Sequence, residues 1–326
     1  MSEIYAMRAE EPGGPEVLRR VAIDRPVPGP GELLIRHTAI GLNFIDVYFR
    51  TGTYPWPPGP GLVTGSEGAG VVEAIGPGVT GIEPGQRIAY TVPNGAYATH
   101  RILPAAMAVP LPDDIPDRIA AAVMLKGLTA HYLIHHSYPA QPGETVLVHA
   151  AAGGVGLIAG QWLALRGVRA IGTAGGPEKC ALAAAHGYAE TIDYKATDFA
   201  AEVTRLTGGT GVAAVYDSIG ADTVLRSLDC LATFGTLVMF GQSSGAPDQF
   251  RISHLARGSL RLTRPTLFHH AARRDWLLEA SAEMFALIRS GGLKIRIDRD
   301  LPLAEVAQAH RLLESRQTTG SSVLIP

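Results

Sequence analysis

Ala151, Gly153 and Gly156, within LVHAAAGGVGLIAGQWLALRG (residues 147–167), hold the three small positions of a G-x-G-x-x-G fingerprint, with alanine in the first. The stretch enters as an apolar strand and leaves as an apolar helix. A turn this bare lets the backbone of Ala152, Gly153, Gly154, Val155 and Gly156 approach a pyrophosphate and seats it on the positive N-terminal end of the helix. The spacing points to a dinucleotide; the alternative is a turn kept small only so that helix and strand pack closely. The end of the second strand decides which dinucleotide, because an NAD site usually carries Asp or Glu about 20 residues beyond the glycines. Here IGTAGGPEK has Thr173, Ala174 and Gly175 instead, and Glu178 falls in the first turn of the next helix, where negative charge is favoured. Lys179 offers a cation suited to a 2′-phosphate, so NADPH is the expected cofactor, unless Lys179 is an ordinary solvated helix lysine.

Strands and helices of a particular kind must hold that turn. TVLVHA, VRAIGTA, ETIDY, AAVYDSIG and GTLVMFG read as buried strands, with GLIAGQWLALRG, PEKCALAAAHG, DFAAEVTRLTG and ADTVLRSLDCLA as helices between them. Such alternation implies right-handed crossovers and a parallel, doubly wound α/β sheet over residues 127–266. Before it, short β-rich runs such as ELLIRHTAIGL and EGAGVVEAIG alternate with Gly/Pro turns, the texture of a largely antiparallel β domain with few helices. After it come two helical patterns, DWLLEASAEMFALIRSG and LAEVAQAHRLLESR, and a strand-like SSVLIP. This tail is too short for a core of its own, so residues 1–126 and 267–326 are expected to form one domain.

Composition excludes several classes. The 326 residues carry 28 Lys and Arg against 30 Asp and Glu, so a net charge of −2 gives no basic excess to attract nucleic acid or an anionic membrane. No apolar run is long enough to span a bilayer and the first residues lack signal-peptide character, so a cytoplasmic protein is expected. Cys180 and Cys230 stand far apart and read as packing residues. His131 and His135 in HYLIHH have zinc-like spacing on a helix, but without the glutamate and third ligand of a zincin they read as a polar helix face.

NFIDVYFRTGTYP, LKGLTAHYL, HAAAGGVGLIAGQWL, YDSIG, SLDCLATFGTLVMFGQSSG, RPTL and ESRQTTGSSVLIP together resemble the quinone oxidoreductase, or zeta-crystallin-like, branch of the medium-chain dehydrogenase/reductase superfamily. The resemblance implies a GroES-like β-barrel catalytic domain from both chain ends, a central Rossmann domain, and a homodimer or homotetramer. By the same resemblance Asn43 and Asp46 lie near the nicotinamide ribose and ring, while Tyr48 and Tyr54 line the acceptor pocket. Lys126 and Thr129 contact the cofactor; Lys179, Tyr194 and Arg316 clamp the 2′-phosphate; and Ser218, Phe240, Gly241 and Ser243 border the crevice. Plainer roles remain open: Asp46 orienting local backbone, the tyrosines packing, Lys126 pairing with a carboxylate, Arg316 ending a surface helix.

Zinc alcohol dehydrogenases of that superfamily have a Cys ligand where this chain has Asn43 and a Gly-His-Glu motif where it reads GSEG (residues 65–68), so no metal is expected. Chemistry without a Lewis acid suits a substrate that accepts hydride easily. A quinone does, because reduction gains aromaticity; an NADPH-dependent enone or alkenal C=C reductase is the alternative enzyme. RNA binding, as of AU-rich RNA by some relatives, or a crystallin-like structural role is the reading from another class, for which RGSLRLTRP and HHAARRDW are local basic clusters.

Overall fold

The strand Thr145–Val148 is buried at every position but its first, as a strand covered on both faces must be. In the computed structural model, which describes residues 3–326, it lies third in a six-stranded, all-parallel sheet. The spatial order is Glu190–Asp193, Arg169–Ala174, Thr145–Val148, Val212–Asp217, Leu231–Met239 and Arg261–Thr263. In chain order this is 3-2-1-4-5-6, so the winding reverses between Thr145–Val148 and Val212–Asp217. The carboxyl ends of those two strands therefore flank the crevice where doubly wound sheets bind ligands. Helices Gly154–Leu165, Pro177–Ala184, Phe199–Leu206 and Val224–Asp229 connect the strands, and Leu147, Ile171, Val203, Val215, Leu228 and Leu237 form the core between layers. The helix Phe199–Leu206 starts where its sequence says it should, since the Asp198 side chain accepts from the amides of Ala200 and Ala201.

Two local readings change. The fifth strand begins at Leu231 rather than Gly235, and the preceding helix already ends at Asp229. Phe234 makes this possible: its φ of 66° belongs to a bulge across which the pairing with Val212–Asp217 shifts register. HYLIHH is a polar face only in part, His136 being exposed and His135 half-buried. His131 is buried, and its ring lies 4.4 Å from that of His135, both edge-on to Trp162.

This unit comprises Thr129–Leu267 and the short segment Ser290–Lys294. That segment is held by Gln161, which donates to the Lys294 carbonyl at 3.2 Å and accepts from its amide at 2.8 Å. The other unit runs to Leu128 and takes in Phe268–Arg289 and Ile295–Pro326. Its main sheet has the order Ile297–Pro302, Ser321–Ile325, Glu32–Gly41, Glu67–Ile75, Arg87–Thr91 and Val109–Pro110, with His100–Pro104 also pairing to Glu32–Gly41. All pairings are antiparallel except that of the two C-terminal strands. Leu33, Ile35, Ile40, Ile88, Tyr90 and Leu103 fill its core, closed by Leu303, Val306 and Ala309 at the start of the helix Val306–Glu314. Among the described residues no helix is long and apolar enough to cross a membrane.

Candidate functional site

In the sheet unit, the turn after Thr145–Val148 is shaped by backbone rather than side chains. Ala150 has φ 54°, a left-handed conformation that alanine adopts at some cost, and its carbonyl accepts from the Gly153 amide at 2.9 Å. Gly153 then caps the helix Gly154–Leu165 with no side-chain hydrogen bond, leaving the first-turn amides for a ligand. Gly156 is required for close packing: a Cβ there would lie 2.3 Å from the Ala150 carbonyl oxygen. At Gly153 a Cβ would press on the same carbonyl oxygen at 3.1 Å, so a side chain there would crowd the turn as well. The turn is a cradle of the kind a pyrophosphate fits.

Beneath it runs a buried polar network that sequence spacing did not reveal. Asp217, at the end of its strand, accepts from the amides of Ile219 and Gly220 and the hydroxyls of Thr223 and Ser227. The Ser227 proton is committed to Asp217, so its oxygen accepts from His149 Nε2 at 2.9 Å, and His149 Nδ1 accepts from the Thr173 hydroxyl at 2.8 Å. Burial holds the His149 pKa down, against the pull of Asp217. Thr173 thus turns inward and stitches three strand ends together. At the next loop, Asp193 accepts from the amides of Gly176 and Lys195, which brings Tyr194 beside Gly175: a Cβ on Gly175 would lie 2.6 Å from the tyrosine hydroxyl. Lys179 lies in the helix Pro177–Ala184 that follows, two residues after its Pro177 start. Ser218, Phe240, Gly241 and Ser243 meet in the loops after the fourth and fifth strands, where the Ser218 carbonyl accepts from the Ser243 amide at 3.1 Å and crowds Gly241. Ala152, Ala174 and Thr129 are buried in this unit, with Gly154 and Val155 half-buried.

In the other unit, the sequence NFIDVYFR folds as the helix Phe44–Arg50 with Asn43 as N-cap. Asp46, at the third helical position, reaches back to accept from the Asn43 amide at 2.9 Å, the returning half of a capping box. Its carboxylate also accepts from Ser66 Oγ at 2.7 Å and Tyr97 Oη at 2.8 Å. The Asn43 side chain donates to Glu67 Oε1 at 2.8 Å, which also takes Lys126 Nζ at 2.5 Å, while Glu67 Oε2 accepts from the Leu125 amide at 2.6 Å. Lys126 therefore pairs with a carboxylate that is fully buried. Asn43 and Ser66 are engaged with these two carboxylates. The Tyr48 and Tyr54 rings pack against each other tilted by 56°, with centroids 5.2 Å apart. Arg316 follows the helix Val306–Glu314 with φ 58°.

The network extends further than the sequence suggested. Tyr97 Oη lies 3.1 Å from His310 Nε2, and His310 Nδ1 lies 2.9 Å from Arg50 Nη1. Arg50, 1% exposed, also holds Glu314 with both terminal nitrogens and gives Nε–H to the Gly13 carbonyl.

These buried groups set the response to acid. Burial, with the Arg101 charge, pushes His37 from 6.5 down to about 3, and burial, with the Arg50 charge, does the same to His310. Both stay neutral in the fold but charge in the unfolded chain, so their stabilisation is complete above 6.5 and is lost as pH falls toward 3. Asp46 opposes them: burial pushes its carboxyl from 3.8 up to about 6 despite its hydrogen bonds, so its contribution grows as pH falls from 6 to 4. Two histidines against one carboxylate leave a net loss. The urea midpoint is expected to fall between pH 6.5 and 4, and His310→Gln to flatten that fall; an unchanged slope in the variant would rule out His310 as a source.

With this geometry in view, residues 29–113 match the family described as alcohol dehydrogenase GroES-like domain, and residues 186–324 the family described as zinc-binding dehydrogenase. A quinone oxidoreductase of Pseudomonas aeruginosa is 49% identical over 96% of this chain and 97% of its own length. A 2-haloacrylate reductase of a Burkholderia species is 42% identical over 99% of both. The structure of Escherichia coli quinone oxidoreductase complexed with NADPH superposes with a TM-score of 0.96 at 43% identity, covering 99% of this chain and 100% of that one.

Proposed function

The chain belongs to the quinone oxidoreductase family of the medium-chain dehydrogenase/reductase superfamily, and from that premise we propose that it reduces a quinone with NADPH. The observation that carries the reading is the uncapped, glycine-lined helix N-terminus at the point where the sheet reverses its winding. The strand end beside it bears Thr173, Ala174 and Gly175 where an acid would hold the ribose hydroxyls, which favours the phosphorylated dinucleotide, as do Lys179, Tyr194 and Arg316. When bound, NADPH supplies a hydride; the chain's residues supply position. Ala152 to Gly156 take the pyrophosphate; Thr129, Lys126, Ser218, Phe240, Gly241 and Ser243 border the rest of the dinucleotide. Asn43 and Asp46 orient the nicotinamide end, and the Tyr48 and Tyr54 rings form an aromatic wall for a flat acceptor whose oxygen a phenol can meet.

No metal is invoked, since Asn43 and Ser66 stand where zinc dehydrogenases have ligands and their donors serve Glu67 and Asp46. A cytoplasmic homodimer or homotetramer is the state we infer, with the edge strand Arg261–Thr263 available for pairing between sheets. A second reading, reduction of an activated C=C bond, is favoured by the 42% identical relative named for a haloacrylate. RNA binding is less favoured, because Arg257 pairs with Asp229 while Arg261 and Arg264 donate to the carbonyls of Phe234 and Met239.

The test is oxidation of NADPH, beside NADH, with 1,4-benzoquinone, 9,10-phenanthrenequinone and a simple enone, in EDTA. Turnover of quinones with NADPH, unaffected by the chelator, is expected. Turnover of the enone alone would move the protein to the second reading, and no oxidation of bound NADPH would remove both.

A further inference from the structure

The donors around Asp46 form a chain whose direction is fixed. Arg50 can only donate, and its Nη1 faces His310 Nδ1 at 2.9 Å; that nitrogen must therefore accept, and the ring proton must sit on Nε2. Nε2 then donates to the Tyr97 oxygen at 3.1 Å, and the phenolic proton has one direction left, to Asp46 Oδ2 at 2.8 Å. Arg50 is held in place, since its Nε donates to the Gly13 carbonyl and both terminal nitrogens donate to Glu314. Asp46, Tyr97 and His310 are all fully buried, so no water competes for these protons. The four residues span the chain from the helix Phe44–Arg50 to the helix Val306–Glu314.

We propose that Tyr97 and His310 are positioning residues for the reaction: the Arg50–His310–Tyr97 chain delivers a fixed proton donor to Asp46 and so holds its carboxylate ionised and oriented at the nicotinamide end of the site. The role at the nicotinamide rests on the function proposed above; the chain itself does not. Other groups act on the same carboxylate. Ser66 and the Asn43 amide donate to it, Lys126 lowers its proton affinity from the helix Asp117–Tyr132, Glu67 and Tyr90 face the same interior from neighbouring strands, and Arg50 lies one turn along its own helix. Burial raises the Asp46 pKa to about 6, which brings its titration into a range where losing one donor is visible.

The experiment follows the Asp46 carboxyl by 13C NMR in the ligand-free protein from pH 4 to 9, in wild type, Tyr97→Phe, His310→Leu and His310→Gln. Removing one hydrogen bond to a charged acceptor should raise the midpoint by about one to two pH units in Tyr97→Phe. His310→Leu should raise it too, and His310→Gln, whose amide can still accept and donate, should recover much of the difference. The acid limb of kcat/KM for NADPH oxidation should move by the same amount. A folded Tyr97→Phe protein with the wild-type midpoint would overturn the proposal. Should the variants not fold, 15N NMR of unaltered protein decides: His310 carrying its proton on Nδ1 between pH 5 and 8 would overturn it, and on Nε2 would support it. Shifted midpoints in a protein that oxidises no NADPH would leave the chain standing and sink the functional reading; an unmoved midpoint with normal turnover would do the reverse.

Discussion

Lys179→Ala is expected to raise the Michaelis constant for NADPH by about ten- to a hundredfold while moving that for NADH by less than about threefold. The two cofactors differ only in the 2′-phosphate, and a charge-assisted hydrogen bond to such a group contributes about 1.5 to 3 kcal/mol, with about 1.4 kcal/mol per tenfold in affinity. In the function proposed above, Tyr194 beside Gly175 and Lys179 in the helix Pro177–Ala184 are the groups that would meet a phosphate on the adenosine ribose. Arg316→Ala provides an independent check. Its backbone has φ 58°, so replacement by alanine keeps the Cβ and the backbone cost and removes the side chain beyond Cβ, guanidinium included. Steady-state kinetics with both cofactors measure the ratio; an equal loss for NADH and NADPH in either variant would dissolve the phosphate clamp.

Glu67→Ala should be the most damaging change to the fold. It leaves the Lys126 ammonium, 7% exposed along its side chain, without the carboxylate oxygen 2.5 Å away, and it orphans the Asn43 amide and the Leu125 N–H. Removing one partner of a buried pair costs about 3 to 5 kcal/mol, and each unsatisfied buried donor adds to that. Chemical denaturation should show the loss. The double variant Glu67→Ala, Lys126→Met should recover part of it, because no buried charge then remains unpaired; a double variant no more stable than the single one would mean that the loss comes from the cavity and the orphaned amides instead.

The parts of this molecule legible in its sequence are those that depend on neighbours in the chain. Strand and helix alternation announces the parallel sheet because each crossover is local, and Ala151, Gly153 and Gly156 announce the cradle because turn and helix start lie within six residues. The acidic network is illegible for the opposite reason. Asp46 and Tyr97 are 51 residues apart, Tyr97 and His310 213, Arg50 and Glu314 264, and no spacing rule links them. Two clues were present nonetheless. Glu67 interrupts the apolar run GSEGAGVVEAI, and Arg50 ends a helix too apolar to face water, so each buried charge required a partner. The bulge at Phe234 had no such clue, as a bulky residue with positive φ runs against its own preference.

Alanine at position 150 has one more effect. A glycine there would sample both halves of conformational space in the unfolded chain and remain pliable in the fold. Alanine disfavours that left-handed shape, so the fold imposes it, the Gly153 amide on the Ala150 carbonyl included. The cost of that shape is carried by folding, and a ligand at the turn would have no left-handed residue left to create.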